Sequence, residues 1–316
     1  MATPVAQLDE LFATTFQKVR GTLADQITTA TPLLAALNSK SKVTEDGGLT
    51  LRRPVLFALN DTVGSYDGYD PIDVTPQDGF GYAAYSWKQY AGSVTIDGKT
   101  EALNEGSARI IAILEAKMEQ LRLSMTQDLN TMLWADGTGN SSKDMLGLQA
   151  IIAAAAGTTL GGIDASTETW WENQRVTGAI SLATTAGVKT LNSVLNDLKL
   201  IGSKPDFEFT TQANFESYEA LAVSNIRFQD LKMAELGFEA VSHKGAEVMF
   251  EDQVPSNYWY FLNSDHLEFV QKSNRWMKLL GFRSPVNQDA KTALVVSMGN
   301  LITDVRRAHG VCTNVS

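Results

Sequence analysis

The chain has 316 residues, 44% of them hydrophobic and 20% charged, enough to bury a substantial core and to form about two domains. Its 36 acidic and 26 basic side chains leave a net charge of −10, which excludes a surface shaped as a whole to grip nucleic acid or an anionic membrane. The chain does not open with a basic segment followed by an apolar run, and it has no 18-residue apolar stretch. A cytosolic, non-spanning protein is therefore expected, and the single cysteine, Cys312, excludes an internal disulfide.

In chain order, residues 5–37 place Leu8, Leu11, Phe12, Phe16, Val19, Leu23 and Ile27 at helical spacing, with a break at Thr31-Pro32. This is an amphipathic N-terminal arm whose apolar face must cover its own domain or a neighbouring subunit. Residues 40–48 are polar and glycine-bearing and read as a linker. Residues 49–98 alternate, with Leu49, Leu51, Val55, Phe57 and Leu59 on the way out and Tyr85, Trp87, Tyr90, Val94 and Ile96 on the way back. Between Asn60 and Ser86 lie Asp61, Asp67, Asp70, Asp73 and Asp78, four glycines and five aromatics, with no lysine or arginine. The segment reads as a long two-stranded excursion with a flexible acidic tip. A hairpin of this kind is marginal alone and needs support from elsewhere.

Ser107 to Trp134 reads as one helix of about seven turns, against a mean of roughly three. Ile110, Leu114, Met118, Leu121, Met125, Leu129 and Met132 recur every three or four residues and lay one apolar stripe along it. The other faces carry Glu115, Lys117, Glu119, Gln120, Arg122, Gln127, Asp128 and Asn130, and Gly137 supplies a helix stop. At ~1.5 Å per residue this is a rod of roughly 40 Å, a girder with something laid across its apolar side.

Beyond it, residues 145–152 read as a short apolar strand or turn, 153–162 as a small-residue connection, and Trp170-Trp171 as a core anchor beneath it. Helices are expected over 188–201, stopped by Gly202 and Pro205, and near 214–223. Strands are expected over 207–210, 247–250, 258–262, 267–270, 293–298 and 301–305. Strands and helices are segregated, which favours α+β over a doubly wound sheet.

Catalytic patterns are missing. Gly92 and Gly98, before Lys99-Thr100, are separated by five residues where a phosphate loop needs four, and Val94, Thr95 and Ile96 prefer a strand. An NTP-binding enzyme built on residues 92–100 is thus the weaker alternative. His243, His266 and His309 stand far apart, outside any metal-ligand spacing, and read as core or surface histidines. Asp67, Asp70 and Asp73 lack the spacing and terminal glutamate of a calcium loop and read as solvated.

The order of arm, excursion, long helix and larger mixed domain resembles the major capsid proteins of tailed phages, the Hong Kong 97-type fold. The residues that carry the resemblance are Trp87-Lys88-Gln89-Tyr90, Val94-Thr95-Ile96-Asp97-Gly98, Asn104-Glu105-Gly106 and Asp136-Gly137-Thr138-Gly139, followed by Gly147-Leu148, Gly161-Gly162-Ile163-Asp164 and Trp170-Trp171. Phe250-Glu251-Asp252-Gln253-Val254-Pro255 and Tyr260-Phe261-Leu262-Asn263 look like that family's late β-segment.

The resemblance implies an N-arm over 1–44, an E-loop hairpin over 45–100, a P-domain over 101–186 with its spine helix, and an A-domain over 187–316 with strands returning to the P-domain. It implies a coat protein that assembles with itself into hexamers and pentamers of an icosahedral virion shell, built in the host bacterial cytoplasm. That shell encloses double-stranded DNA without sequence-specific binding and involves no membrane. Portal, scaffolding and decoration proteins are the further partners implied, with scaffolding separate or absent. No enzyme activity, cofactor, metal or catalytic residue is implied. Tyr66, Asp67, Tyr69, Asp70, Asp73, Phe80 and Tyr82 at the hairpin tip, together with Tyr85, become contacts for a neighbour, whose Arg227, Arg275 and Arg283 are candidate partners for the aspartates. A bacterial encapsulin shell, of the same fold, is the nearer alternative.

Overall fold

A computed structural model describes residues 31–103, 107–200, 202–222, 241–284 and 288–316. Residues 1–30 of the expected arm lie outside them, as do the side chains of Ile110 and Leu114 on the long helix.

The described chain begins with α1 (Pro32–Lys40), whose proline sits in the first turn, where a missing N–H costs nothing. Leu33 to Leu37 are all buried, so this last part of the expected arm is core and not surface. β1 (Lys42–Glu45) follows where a linker was expected, pairing in parallel with a later strand. An edge strand held by its backbone ladder needs no apolar run, which is why the sequence concealed it.

The excursion is β2 (Thr50–Leu56) and β3 (Phe80–Ser86), paired antiparallel from Thr50 opposite Ser86 to Leu56 opposite Phe80. Its expected returning limb divides at Trp87. Residues beyond it form β4 (Lys88–Asp97), which leaves the hairpin for another sheet. A helical turn (Gly98–Leu103) precedes the long helix α2 (Ser107–Trp134). Residues 145–152 give a turn and a short helix (Leu148–Ile151), and the connection closes through β5 (Thr159–Leu160) and β6 (Ile163–Asp164). Trp171 is buried in a single tight turn, its indole N–H donating to the Leu160 carbonyl at 3.0 Å.

The remaining elements are β7 (Gln174–Val176), α3 (Thr185–Leu200), β8 (Phe207–Thr210), α4 (Gln212–Ala222), β9 (Val241–His243), β10 (Ala246–Phe250), β11 (Trp259–Leu262), β12 (Leu267–Lys272), β13 (Lys278–Arg283), β14 (Ala290–Thr303) and β15 (Gly310–Cys312). β14 is one long strand where two were expected. Its interior Gly299 is required because a Cβ there would stand 2.4 Å from the Val270 carbonyl oxygen and 3.0 Å from the Trp276 ring. Mixed helix and sheet make an α+β fold with two main sheets. One runs β1-β12-β14-β13, with β4 on the far side of β14, and the other runs β7-β15-β11-β8-β10-β9.

The long helix ties these parts together. Met118, Leu121 and Met125 pack on Val94 and Ile96 of β4, Phe282 of β13, and Ala293 and Val295 of β14. Gly92 lets β4 pass, since a Cβ there would meet the Leu121 Cδ1 at 2.4 Å. Further along, Leu129, Met132, Leu133 and Trp134 enter the central core with both main sheets and α1. Arg122 and Asn130, expected on polar faces, are buried. The apolar stripe predicts one covered side, but the second half of the helix is covered on two. Arg122 satisfies its charge on Glu119, and Asn130 bonds to the Glu251 carboxylate.

Candidate assembly interface

The hairpin alternates strictly. Leu51, Val55, Ala83 and Tyr85 face the body, while Pro54, Leu56, Phe80 and Tyr82 face solvent. Its base is clamped at four points. Arg53 reaches Glu45 at 2.6 Å and Glu268 at 2.5 Å, and the Ala84 N–H donates to the Gly161 carbonyl at 2.8 Å. Phe57 stacks on Trp170 with ring centroids 5.4 Å apart. Tyr85 donates its hydroxyl to the Thr303 carbonyl at 2.7 Å, and burial pushes that phenol well above its ordinary value. Gly161, at φ +63, admits the hairpin because a Cβ there would lie 3.0 Å from that of Ala83.

Tyr85 therefore departs from the expectation that all five aromatics of the excursion serve a neighbour: it is 3% exposed and belongs to the subunit's core. The inward phase of β3 decides this, since Tyr85 and Ala83 share one face while Phe80 and Tyr82 share the other.

Beyond the clamp, residues 58–79 hold themselves by short-range bonds: Thr62 donates to the Asn60 side chain, Asp70 N–H to the Asp67 carbonyl, and Thr75 to Asp73. The Thr75 hydroxyl and N–H keep the Asp73 carboxyl below the usual range. The segment is rich in apolar surface as well as charge. Among the described residues, 11 of the 14 exposed large hydrophobics lie between Leu49 and Tyr82, including Leu59, Val63, Tyr66, Tyr69, Ile72, Val74 and Phe80. Patches of this kind mark interaction sites. The aliphatic members were missed from sequence because turn residues interrupt them. The tip residues Tyr66, Asp67, Tyr69, Asp70, Asp73, Phe80 and Tyr82 all lie on this excursion, and all are exposed.

A surface of opposite character lies on the β13–β14 ribbon. Leu280, Gly281, Thr292, Leu294, Arg283 and Ser284 line a shallow cavity of about 150 Å³. Arg283 is exposed at its rim, and Arg275 and Lys278 are exposed nearby in the chain. Arg227 lies outside the described residues.

The near-miss glycine loop is a strand. The backbone of residues 91–97 pairs with β14, and the Gly98 N–H donates to the Asp289 carbonyl at 2.9 Å, so these amides form a ladder and not an anion cradle. His243 is buried against Glu208 and Asn192, His266 pairs with Asp304, and His309 is buried elsewhere. No three His, Cys, Asp or Glu side chains among the described residues are grouped to hold a metal. Burial pushes the Cys312 thiol up to about 12, leaving it unreactive.

No family model and no curated protein matches the sequence. Among solved structures, the cyanophage A-1(L) capsid asymmetric unit matches at TM-score 0.68 and 18% identity, over 91% of this chain and 93% of that one. The holo-SrpI encapsulin complex from Synechococcus elongatus PCC 7942 matches at TM-score 0.54 and 12% identity, over 88% and 86%. The capsid of an empty GTA particle matches at TM-score 0.54 and 12% identity, over 88% and 95%. The chain has the Hong Kong 97-type capsid fold along nearly its whole length.

Proposed function

We propose that this chain is the major coat protein of a tailed phage, a structural and non-catalytic subunit that assembles with itself into hexamers and pentamers of an icosahedral shell around double-stranded DNA. The observation that carries this reading is the hairpin, rigidly clamped at its base and exposing an apolar, acidic limb that its own subunit leaves uncovered. The neighbour supplies the match: its β13–β14 ribbon offers Leu280 and Leu294 beside Arg283, apolar ground with the opposite charge. A contact between two different patches of one chain is heterologous, and heterologous contacts close into rings where the rotation between neighbours closes, as a capsomer requires. Many such modest contacts add up to a stable shell. Residues 1–44, 101–186 and 187–316 then serve as arm, P-domain and A-domain, and the hairpin between Thr50 and Ser86 as the E-loop. Portal, scaffolding and decoration proteins are the expected further partners, and the shell is assembled in the host cytoplasm and ends in the virion. The acidic balance suits a container that holds DNA without gripping it.

The test is assembly. The purified chain, alone and with candidate scaffolding protein, is examined by size-exclusion chromatography with light scattering and by electron microscopy. Closed shells or capsomers are expected. A monomer at every salt and protein concentration, with and without scaffold, would refute the proposal. The encapsulin reading is favoured instead if shells isolated from the native source carry an enzyme cargo and no DNA.

A further inference from the structure

Two short chain segments cross directly between the main sheets, and they run side by side. One leads from β11 to β12 through residues 263–266, and the other from β14 to β15 through residues 304–309. Their stitching is polar, although it sits on the central apolar core. His309, 0% exposed, accepts the Asn263 N–H at its Nδ1 over 3.3 Å. Its Nε2 lies 3.3 Å from the Thr303 hydroxyl, which donates to the His266 carbonyl at 2.7 Å. These bonds require a neutral ring with its proton on Nε2. They join the last residue of β14, the residue after β11, the residue before β12 and the residue before β15.

We infer that this paired crossing is an acid-sensitive joint between the two sheets, with His309 as its sensing group. A second proton must go to Nδ1, where the Asn263 N–H already points, so protonation turns an acceptor into a donor facing a donor. It also places a charge where no water reaches. The charged and titratable groups facing the ring come from every side: His266 before β12, Asp304 after β14, and Asp206 before β8, which Lys40 of α1 pairs at 2.8 Å. Burial dominates and holds His309 at about 4; the His266 carbonyl and the two aspartates favour the proton and the His266 ring opposes it, without overturning the burial. A hydrated imidazole titrates near 6.5. The opened joint therefore takes up the proton more readily than the closed one, and acid between those values favours opening. The inference concerns the chain's own sheets and stands whether or not the chain builds a shell.

Hydrogen exchange of the full-length chain, corrected for the intrinsic rate at each pH, tests it directly. Protection at Asn263, His266, Ala308 and His309 should fall on the order of a hundredfold between about pH 6.5 and about pH 4, each unit of pKa displacement being worth about tenfold. His309→Gln offers an oxygen to Asn263 and an N–H to Thr303 without titrating, and should flatten that dependence. His266→Gln, which removes only the half-exposed ion pair, should keep it. Should His309→Gln fail to fold, NMR titration of His309 in the unaltered protein decides the matter. A ring that titrates near 6.5, or protection at the crossing that does not change over this range, overturns the inference, as does a folded His309→Gln protein with the wild-type pH dependence.

Discussion

On the proposed assembly the two faces of the hairpin separate folding from docking, and a pair of aromatic truncations tests this. Tyr85 is 3% exposed, packs with Ala83 against the body and bonds to Thr303. Its truncation to alanine leaves a ring-sized void, for which about 3–5 kcal/mol is expected, plus about 1 kcal/mol for the lost hydrogen bond. At roughly 2–4 °C per kcal/mol, Tm should drop by roughly 8–24 °C. Phe80, on the opposite face of β3, is 79% exposed. Phe80→Ala should stay within about 0.5 kcal/mol of the parent in subunit stability. Its cost should appear between subunits, where a buried aromatic is worth about 2 kcal/mol, roughly 30-fold per contact, and recurs at every copy in a shell. Thermal unfolding by circular dichroism reads the first effect, and the protein concentration needed for assembly, followed by light scattering, reads the second. If Phe80→Ala destabilised the subunit as much as Tyr85→Ala, or assembled at the parent's threshold, the division of the hairpin into a folded face and a docking face would be wrong.

Shortening residues 58–79 to a tight turn should leave Tm nearly unchanged and abolish shell closure, because those residues bond mainly to one another; normal shells from the shortened chain would make the segment a mere surface loop. Raising salt towards 1 M shrinks the Debye length to about 3 Å and should weaken assembly of the intact protein, visible as a higher threshold concentration. Gly147→Ala should cost several kcal/mol and sharply reduce soluble yield, since its Cβ would lie 2.3 Å from the Ala135 carbonyl oxygen and 2.4 Å from that of Met132, both backbone. The His266–Asp304 pair gives a pH signature of its own. The bond to Asp304 raises His266, so its contribution is complete below about 6.5 and fades as pH rises through the folded value. Burial works against the Asp304 charge, but the His266 bond and charge outweigh it and lower its pKa, so that contribution fades as pH falls below about 4. His266→Gln should accordingly lower Tm most between those limits and least in mild alkali.

What the sequence disclosed follows periodicity. The long helix was readable because Met118, Met125, Leu129 and Met132 repeat at its pitch, and all are buried. The hairpin was readable from alternation, yet five similar aromatics could not reveal that Tyr85 alone turns inward, because that depends on the phase set by pairing with Leu51. β1 was hidden because its stability resides in the backbone. Arg306 was hidden for another reason. Fully buried, it donates to the carbonyls of Ile151 and Thr158, so a charged residue pins the connection between the long helix and β7. Only the folded chain brings those carbonyls together, and burial lowers its guanidinium to about 10.

A subunit that exposes this much apolar surface must still avoid pairing with the wrong partner, and the hairpin shows how. β2 and β3 pair only with each other among the described residues, so apart from the Ala84 N–H held by Gly161 their outer edges stand open to strand addition. Pro54, in the middle of β2, brings no N–H to either side of its strand. Arg52 lays its guanidinium 4.8 Å from the Tyr82 ring centroid, covering part of the outward face with charge. Five aspartates without a compensating base make the limbs of free subunits repel one another. Pro54 and the aspartates oppose hairpin-to-hairpin association, and neither hinders docking of the outward face on a surface that is apolar and basic. On the proposed docking, the same residues that leave the excursion uncovered in one subunit discriminate between aggregation and that contact.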